Sequence, residues 1–166
     1  MTWAETISRA EGYLSAKGVP QARVAAELLA ARLLRIGRGM LAGESEHEAD
    51  ERMLEAMRRG MKRLAAGEPL QYVLGEWDFR TLTLKCDRRA LIPRPETEEL
   101  AGRVLKFLES RPPDRRFTVD VGTGTGAIIL SLAKETRGGG IFLGTDLSED
   151  AIALAKENAK RCGLEG

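Results

Sequence analysis

The chain has 166 residues, of which 43% are hydrophobic and 31% are charged, enough for one ordinary domain or two small ones. Its formal net charge of +1 provides no bulk electrostatic attraction to nucleic acid or to an anionic membrane. No apolar run reaches the length of a transmembrane helix, and the first residues carry acids in place of the apolar core of a signal peptide. We therefore predict a cytoplasmic protein that contacts neither membrane nor nucleic acid directly.

The cysteines and the histidine give no sign of metal or thiol chemistry. Cys86 and Cys162 lie far apart without CxxC spacing, and His47 is the only histidine. These spacings disfavour a metal site and a nucleophilic Cys–His pair. We therefore predict no metal ion and interpret both cysteines as packing residues.

Residues 1–74 are predicted to form a small all-helical domain. Thr2 and Glu5 have the spacing of a capping box at the start of a first helix, and Ser45 and Glu48 repeat that spacing before a long charged helix. Apolar residues recur in the long helix at intervals of three and four, as expected for a buried stripe. They are Met53, Leu54, Met57, Met61 and Leu64.

Residues 75–90 are predicted to form a β-hairpin that links this domain to the next. Trp77, Phe79, Leu82 and Leu84 alternate with polar residues, which is the pattern of half-buried strands. The alternation predicts two short strands joined by a turn.

An arginine between two prolines follows the hairpin. Pro93 and Pro95 enclose Arg94 and hold the backbone extended, because each proline restricts its own φ angle and the residue before it. Thr97 and the neighbouring acids then begin a helix.

The stretch from Phe117 to Ala133 organises the second half of the chain. An alternating β-branched run predicts a strand, and the apolar segment after the glycines suits a helix packed on a sheet. Glycines let the backbone approach a ligand closely, and the start of a helix presents free N–H groups. We therefore predict a nucleotide-binding turn at Gly122, Gly124 and Gly126.

Two nucleotide patterns overlap at this turn. Gly122, Gly124 and Ala127 satisfy the dinucleotide fingerprint, in which the third small residue can be alanine. The run from Asp120 to Gly126 instead resembles the Asp-x-Gly-x-Gly-x-Gly pattern of S-adenosylmethionine-dependent methyltransferases. A carboxylate before the first glycine suits the cationic methionine end of that cofactor and repels an anionic pyrophosphate. The second interpretation is therefore favoured.

A further acid follows at the distance expected for a ribose contact. Residues 138–140 are three glycines that predict a turn, and Asp146 ends the short apolar strand after them, 24 residues beyond Gly122. A carboxylate there can accept hydrogen bonds from both ribose hydroxyls of a nucleoside. Alternatively, Asp146 and Ser148 cap the helix that begins near Glu149. The combination of strand, acid and spacing favours the ribose contact.

Three segments occur in an order that is typical of one family. Residues 67–75 read Gly-Glu-Pro-Leu-Gln-Tyr-Val-Leu-Gly, residues 91–98 read Leu-Ile-Pro-Arg-Pro-Glu-Thr-Glu, and residues 120–127 read Asp-Val-Gly-Thr-Gly-Thr-Gly-Ala. The glycine turn alone indicates a class I methyltransferase, whereas its combination with the proline-rich segment is far more specific. Essentially the whole chain resembles the HemK/PrmC family, the release-factor glutamine methyltransferases.

The resemblance implies an α/β fold, in which a small all-helical N-terminal domain precedes the first part of a Rossmann-like class I S-adenosylmethionine-dependent methyltransferase domain in residues 91–166. It implies methyl transfer from S-adenosylmethionine to the side-chain amide of the glutamine in the Gly-Gly-Gln motif of peptide chain release factors. Residues 1–74 would help to recognise the release factor. The residues implied for the substrate pocket are Pro93, Arg94, Pro95 and Thr97, and those implied for the cofactor are Asp120, Gly122, Thr123, Gly124, Thr125, Gly126 and Asp146.

One departure from the family concerns catalysis. Family members carry an Asn-Pro-Pro-Tyr motif after a later strand, where it holds the glutamine amide; the motif does not occur here, and the sole asparagine is Asn158 in the last helix. Only two core strands of a seven-stranded sheet are recognisable, so we expect a truncated chain without the C-terminal half of the domain. An amide nitrogen is a poor nucleophile that must be held in line with the methyl group. We therefore expect these 166 residues alone to be inactive and to bind the cofactor weakly at best.

Three alternatives remain open. Methyltransferases that modify the amino group of adenine share the glycine turn and a motif of the Asn-Pro-Pro-Tyr type, although the near-neutral charge argues mildly against a nucleic-acid substrate. The chain can also be a non-catalytic module whose helical domain docks a partner. A nicotinamide-dependent oxidoreductase is the least favoured interpretation.

Overall fold

A computed structural model describes residues 1–137 and 139–165, which fall into two units, Met1–Leu74 and Gly75–Gly166. The first unit contains helices α1 (Trp3–Ala16), α2 (Ala22–Leu34), α3 (Leu41–Glu44), α4 (Glu51–Ala65) and α5 (Leu70–Leu74), with a 3₁₀ turn at Arg38–Met40. The second contains strands β1 (Glu76–Phe79), β2 (Leu82–Lys85), β3 (Phe117–Val121) and β4 (Ile141–Thr145), helices α6 (Pro95–Glu109), α7 (Ala127–Glu135) and α8 (Glu149–Cys162), and a 3₁₀ turn at Pro113–Arg115. Gly138, the first of the three glycines predicted to form a turn before β4, lies outside the described residues.

The capping box predicted at the start of α1 is confirmed. The Glu5 amide donates to the Thr2 hydroxyl oxygen across 3.2 Å, and the Thr2 amide donates to Oε2 of Glu5 across 3.1 Å. Two N–H groups that helix geometry leaves without partners are thereby satisfied.

The second capping box, predicted at Ser45 and Glu48, is wrong. Helix α4 begins later, at Glu51, and its N-cap is Asp50, whose side chain accepts a hydrogen bond of 2.7 Å from the amide of Met53. The Ser45 hydroxyl instead donates to the carbonyl of Ala42.

The reason lies in the neighbouring helix. The carbonyls of Ser45 and His47 accept hydrogen bonds of 2.9 and 3.0 Å from Ala4 and Trp3, the first turn of α1. The carbonyls of Ser45 and His47 therefore cap the start of α1 and do not begin a helix of their own.

The core of the first unit lies between α1, α2 and α4. Trp3 and Leu14 of α1 and Met57 of α4 are almost completely buried, and the buried face of α2 consists mainly of alanines. The predicted apolar stripe of α4 is confirmed, with Leu54, Met57 and Leu64 buried. Gly60 lies about one turn after Met57 in α4. A Cβ added at Gly60 would lie 2.9 Å from Cδ2 of Leu29, so α2 and α4 approach closely at this glycine.

The hairpin belongs to the second unit. Strands β1 and β2 pair antiparallel with Trp77 opposite Leu84, and Phe79, Leu82 and Leu84 are buried. Together with Ala101 of α6 they pack against the apolar start of α7. The hairpin therefore forms part of a folded core.

An ion pair fastens the hairpin turn to two helices. Arg80 donates to both carboxylate oxygens of Glu135 in α7, across 2.6 and 2.7 Å, and to the carbonyl of Glu98 in α6 across 3.0 Å. Both side chains of the pair are mostly buried. A bidentate pair of this kind fixes orientation as well as contributing energy.

Strands β3 and β4 form a parallel pair with α7 as the crossover. Val119 lies opposite Leu143, and Asp120 lies opposite Gly144. Helix α7 packs against both strands, and Phe142 joins its apolar cluster. Because the carboxyl ends of parallel strands meet at one edge, the turn after β3 and the turn after β4 come together.

In residues 1–137 and 139–165, none of the helices combines the length and the apolar character that crossing a bilayer requires.

Candidate cofactor-binding site

The glycine turn is fastened to the end of the neighbouring strand. The amides of Gly122 and Thr123 both donate to the carbonyl of Thr145, each across 2.8 Å. One carbonyl at the end of β4 therefore holds the first two residues after β3. The turn is a fixed feature of the sheet edge, as the predicted nucleotide-binding element requires.

The three glycines adopt the backbone conformation that favours glycine, but they face different surroundings. Their φ angles are 81° at Gly122, 55° at Gly124 and 81° at Gly126. A Cβ added at Gly122 would meet nothing within 4 Å, and one at Gly124 would meet only the Cβ of Ala90 at 3.8 Å. At Gly126 it would lie 2.9 Å from Cδ1 of Leu130. Gly122 thus leaves open space beside the backbone, a side chain at Gly124 would make an ordinary contact with Ala90, and Gly126 allows α7 to pack.

Asp120 is tied into the turn by its own loop. The hydroxyl of Thr123, which is buried, donates to Oδ2 of Asp120 across 2.8 Å. Gly144 on the opposite strand makes room for this threonine, since a Cβ there would lie 2.9 Å from its Oγ1. The half-buried carboxylate is therefore held at the end of β3.

Asp146 follows β4 directly and contacts the glycine turn from that strand. Its Oδ2 accepts a hydrogen bond of 2.9 Å from the amide of Gly124, and its Oδ1 accepts one of 3.0 Å from the amide of Ser148. These backbone hydrogen bonds, that from Ser148 first, hold the pKa of the Asp146 carboxyl below its usual value. The carboxylate is charged at neutral pH and sits directly beside the glycine turn.

The helix after β4 is capped by a different residue. The hydroxyl of Ser148 accepts a hydrogen bond of 3.2 Å from the amide of Ala151, which makes Ser148 the N-cap of α8. Asp146 is therefore not the N-cap residue of α8, and its contact with this region is the hydrogen bond that it accepts from the Ser148 amide.

Helix α7 begins at the site without a side-chain cap. Gly126 is its N-cap residue and offers no side chain to the first N–H groups of the helix. Amides at a helix start lack intrahelical partners and attract electron-rich atoms of a ligand. This end of α7 therefore adds N–H donors to the candidate site, next to the open face of Gly122.

The predicted substrate-pocket segment starts beside the turn. Ala90, three residues before Pro93, has its Cβ 3.8 Å from the position that a Cβ at Gly124 would occupy. Helix α6 begins at Pro95 with Arg94 as its N-cap residue, and the amide of Thr97 donates to the carbonyl of Arg94. Within residues 1–137 and 139–165, the side chains of Pro93, Arg94, Pro95 and Thr97 make no hydrogen bond to the turn.

An ion cluster holds this segment against α8. Arg89 donates to the carboxylates of Asp87 and Glu157, and Lys85 pairs with Glu157 across 2.6 Å. The cluster, with Arg89 as the largest cause, lowers the pKa of Glu157 to about 2. The residues leading to Ala90 are therefore anchored at neutral pH.

Sequence reasoning missed one residue of the site. Asn158 is completely buried, and its amide contacts the carbonyl of Thr125 in the turn and the backbone of Lys85. A signal was present, since Asn158 follows Ala151 and Leu154 on the buried stripe of α8. A polar side chain in such a stripe indicates a specific hydrogen-bond partner.

The cysteines do not take part in the site. Burial raises the pKa of the Cys86 thiol to about 11, and both cysteines are free. Among the described residues, no group of three or more His, Cys, Asp or Glu side chains is arranged to hold a metal ion.

Two family profiles match the chain. The profile described as the PrmC N-terminal domain matches residues 5–75, and the one described as a methyltransferase domain matches residues 116–166. The second match contains the glycine turn and Asp146. The two matches confirm the predicted α/β fold, a helical region followed by the start of a Rossmann-like methyltransferase domain.

Curated proteins give the same assignment. The chain is 36% identical over 165 residues to the release factor glutamine methyltransferase of Moorella thermoacetica, covering 99% of this chain and 57% of that protein. It is 37% identical to the protein of the same name from Deinococcus radiodurans, with coverages of 99% and 58%. It is 34% identical to the human MTRF1L release factor glutamine methyltransferase, with coverages of 97% and 49%. The chain spans about half the length of the curated relatives it matches.

The fold and the glycine turn define a methyltransferase-type domain that follows a helical N-terminal unit along the chain. The matches to both units confirm the resemblance to the HemK/PrmC family of release factor glutamine methyltransferases that the sequence motifs predicted.

Proposed function

We propose that this chain provides the cofactor-binding half of an S-adenosylmethionine-dependent enzyme that methylates a glutamine side-chain amide in a peptide chain release factor. The observation that carries the cofactor assignment is the hydrogen bond between the Gly124 amide and Asp146, which sets a charged carboxylate against an open glycine turn. The substrate assignment rests on the resemblance to this family and on the names of the curated relatives.

The residues present fit a nucleoside. The open space at Gly122 is a cradle that any side chain would fill, and the uncapped start of α7 offers donors beside it. Each oxygen of Asp146 accepts one backbone hydrogen bond, and a carboxylate oxygen has capacity for a second. We assign to Asp146 the acceptance of the ribose hydroxyls.

The charge at the first strand favours a cationic ligand. Asp120 is held at the end of β3 by the hydroxyl of Thr123, beside the turn. A fixed carboxylate attracts a sulfonium or ammonium group and repels a pyrophosphate. This supports S-adenosylmethionine over a nicotinamide dinucleotide. When bound, S-adenosylmethionine supplies an activated methyl group on its sulfonium.

The segment before α6 is proposed to line the substrate pocket. Ala90 lies near the glycine turn, at 3.8 Å from a Cβ added at Gly124, and Pro93 and Pro95 restrict the backbone that continues from it. Such a segment can hold a glutamine side chain in place, which matters because the lone pair of an amide nitrogen is delocalised and reaction depends on orientation. Arg94 and Thr97 supply its polar groups.

The first unit is proposed to help recognise the release factor. The resemblance to the family implies this role, and the match of residues 5–75 to the PrmC N-terminal domain supports it. The arginines on α4 give no separate argument for it, because Arg58 and Arg59 are paired with Glu51 and Glu55. Those pairs are typical of a solvated helix face.

Binding of a release factor tests the proposed substrate. We expect saturable binding of an intact release factor to this chain, and weaker binding when its Gly-Gly-Gln glutamine is replaced by alanine. Single-stranded DNA rich in adenine serves as the competitor that the adenine-methyltransferase alternative predicts to win. Preference for the DNA, or no binding of the release factor, would overturn the substrate assignment.

Methyl transfer is measured in the same mixture. We predict that these 166 residues incorporate no methyl group into the release factor, because the Asn-Pro-Pro-Tyr motif is not among them. Mass spectrometry of the Gly-Gly-Gln peptide gives the readout. A methylated glutamine would contradict the prediction that this motif is required for catalysis.

A further inference from the structure

Asn158 is a buried polar side chain that the sequence motifs do not explain. Its exposed fraction is 0%, and it lies on the same stripe of α8 as the buried residues Ala151 and Leu154. A buried amide without partners would be costly, so its contacts show what the position requires.

All three hydrogen-bonding groups of the amide side chain are used on backbone atoms. Oδ1 accepts a hydrogen bond of 2.7 Å from the amide of Lys85, and Nδ2 donates to the carbonyl of Lys85 across 3.1 Å. Nδ2 also donates to the carbonyl of Thr125 across 2.9 Å. The side chain therefore pairs with the last residue of β2 as a neighbouring strand would, and its remaining N–H reaches the glycine turn.

The bond to Thr125 completes the fixation of one peptide group. The carbonyl of the peptide between Thr125 and Gly126 accepts from Asn158, and its N–H donates to the carbonyl of Thr123 across 2.8 Å. With both polar atoms held, this peptide plane cannot rotate without breaking a hydrogen bond. The plane sits between Gly124, which contacts Asp146, and the first residue of α7.

We propose that Asn158 is a positioning residue for the cofactor-binding turn. It holds the Thr125–Gly126 peptide so that the Gly124 amide meets Asp146 and the first N–H groups of α7 face the cofactor. The expected effect of Asn158 on cofactor affinity rests on the proposed S-adenosylmethionine site. Its expected effect on the conformation of the turn rests on the observed contacts alone.

Glu157, the residue before Asn158, also connects α8 to the end of β2, at the protein surface. Glu157 pairs with Lys85 and Arg89 at the surface, while Asn158 binds the Lys85 backbone in the interior. Two consecutive residues of α8 therefore hold the end of β2, from which the chain continues to Ala90 beside Gly124.

Asn158→Asp is the discriminating variant, because it replaces the donor group by a carboxylate oxygen of nearly the same size. At about pH 8 the carboxylate repels the carbonyls of Lys85 and Thr125, and we expect the affinity for S-adenosylmethionine to fall about tenfold. On lowering the pH to about 5.5, protonation of the buried carboxyl restores one donor, and we expect most of the affinity to return. The unaltered chain should bind equally well at both pH values.

Leu154→Ala is the matched control. Leu154 is also completely buried in α8 but has no polar group, so its truncation destabilises the helix packing without removing a hydrogen bond from the turn. At a temperature where both variants are folded, the control should keep the affinity of the unaltered chain at both pH values. Equal affinity losses in the two variants, or an Asn158→Asp variant that binds normally at the higher pH, would overturn the proposal.

Amide hydrogen exchange separates this proposal from the proposed function. Asn158→Asp should accelerate exchange at the Gly126 amide more than Leu154→Ala does, after correction for global stability, with no cofactor present. If the unaltered chain binds no S-adenosylmethionine but this exchange pattern is found, the cofactor assignment fails and the positioning role stands. Unchanged protection at Gly126 in Asn158→Asp would remove the positioning role. If the aspartate variant does not fold, Asn158→Ser, whose single shorter hydroxyl cannot make the three hydrogen bonds of the amide, serves for the exchange measurement and for the affinity comparison at the higher pH.

Discussion

The amide of Gly124 donates a hydrogen bond of 2.9 Å to Oδ2 of Asp146, joining residues that follow two different strands. The bond places a carboxylate at the glycine turn and keeps it charged, because its hydrogen bonds to backbone amides lower the pKa of Asp146. The turn and the acid are each weak indications of a nucleotide site. Their direct contact makes them one site.

The first prediction concerns the charge of Asp146. A carboxyl whose pKa is lowered in the folded chain contributes stability above its unfolded value and loses that contribution as the pH falls through the folded value. The same lowered pKa keeps the proposed ribose acceptor ionised, so we expect S-adenosylmethionine affinity to be constant from about pH 8 to about pH 5 and to decline only below about pH 4. Calorimetric titration across this range measures it.

Asp146→Asn is the control for that experiment. It keeps the shape of the side chain and one acceptor oxygen, and it removes the charge. Weaker binding than in the unaltered chain, without a decline below about pH 4, is expected. An identical acid decline in Asp146→Asn would assign the titration to another group.

The second prediction separates two glycines of the turn. Gly126→Ala forces a left-handed φ on alanine and brings its Cβ to 2.9 Å from Leu130 Cδ1. We expect a loss of about 2–3 kcal/mol in the free energy of unfolding, measured by urea denaturation. Gly122→Ala has the same φ strain but open space, so a loss of about 1–2 kcal/mol is expected.

The affinity for S-adenosylmethionine should rank these two variants in the opposite order to their stability. The methyl group of Gly122→Ala occupies the open cradle, so this variant should lose affinity although it is the more stable one. If Gly122→Ala binds S-adenosylmethionine as well as the unaltered chain, the open face of Gly122 is not where the ligand lies.

The third prediction concerns the ion cluster at Glu157. Its pKa of about 2, compared with an ordinary value of 4.5, means that its contribution to stability is present above the ordinary value and lost as the pH falls through about 2. Arg89→Gln should move this pKa upwards, because Arg89 is the largest cause of the shift. An NMR titration of the Glu157 carboxyl measures both values. Lys156→Gln, which removes a charge from α8 outside the ion pairs, should leave the pKa nearly unchanged.

The fourth prediction concerns the cysteines. Cys86 is 1% exposed and its thiol pKa is raised to about 11, so the native chain should be alkylated there at least about tenfold more slowly than at Cys162. Mass spectrometry after a short iodoacetamide pulse at about pH 8 distinguishes the two. In urea the rates should become similar. Fast native labelling of Cys86 would show that the packing around this residue, directly after β2, is not as described.

Local signals in the sequence predicted what depends on neighbours in the chain. The capping box of Thr2 and Glu5 acts within three residues, and the strand, glycine turn and helix from Phe117 onwards follow periodicity and glycine spacing. The fold class was predicted because these elements and the family motifs point to the same architecture. The site residues remain predictions for binding, although the contact of Gly124 with Asp146 agrees with their spacing.

Contacts between distant residues were not predictable in this way. Ser45 has the local pattern of a cap, but its carbonyl binds the first turn of α1, and a spacing rule contains no information about that helix. Asn158 meets Thr125 and Lys85, which lie 33 and 73 residues away. Only the three-dimensional arrangement shows which backbone groups of the glycine turn and of β2 the amide of Asn158 contacts.

Titration of S-adenosylmethionine and of NAD into this chain by calorimetry tests the central claim most directly. The proposed site predicts saturable binding of S-adenosylmethionine, loss of that binding in Asp146→Ala, and no comparable binding of NAD. Tighter binding of NAD, or S-adenosylmethionine binding that survives Asp146→Ala unchanged, would contradict the assignment of this turn as a methyl-donor site.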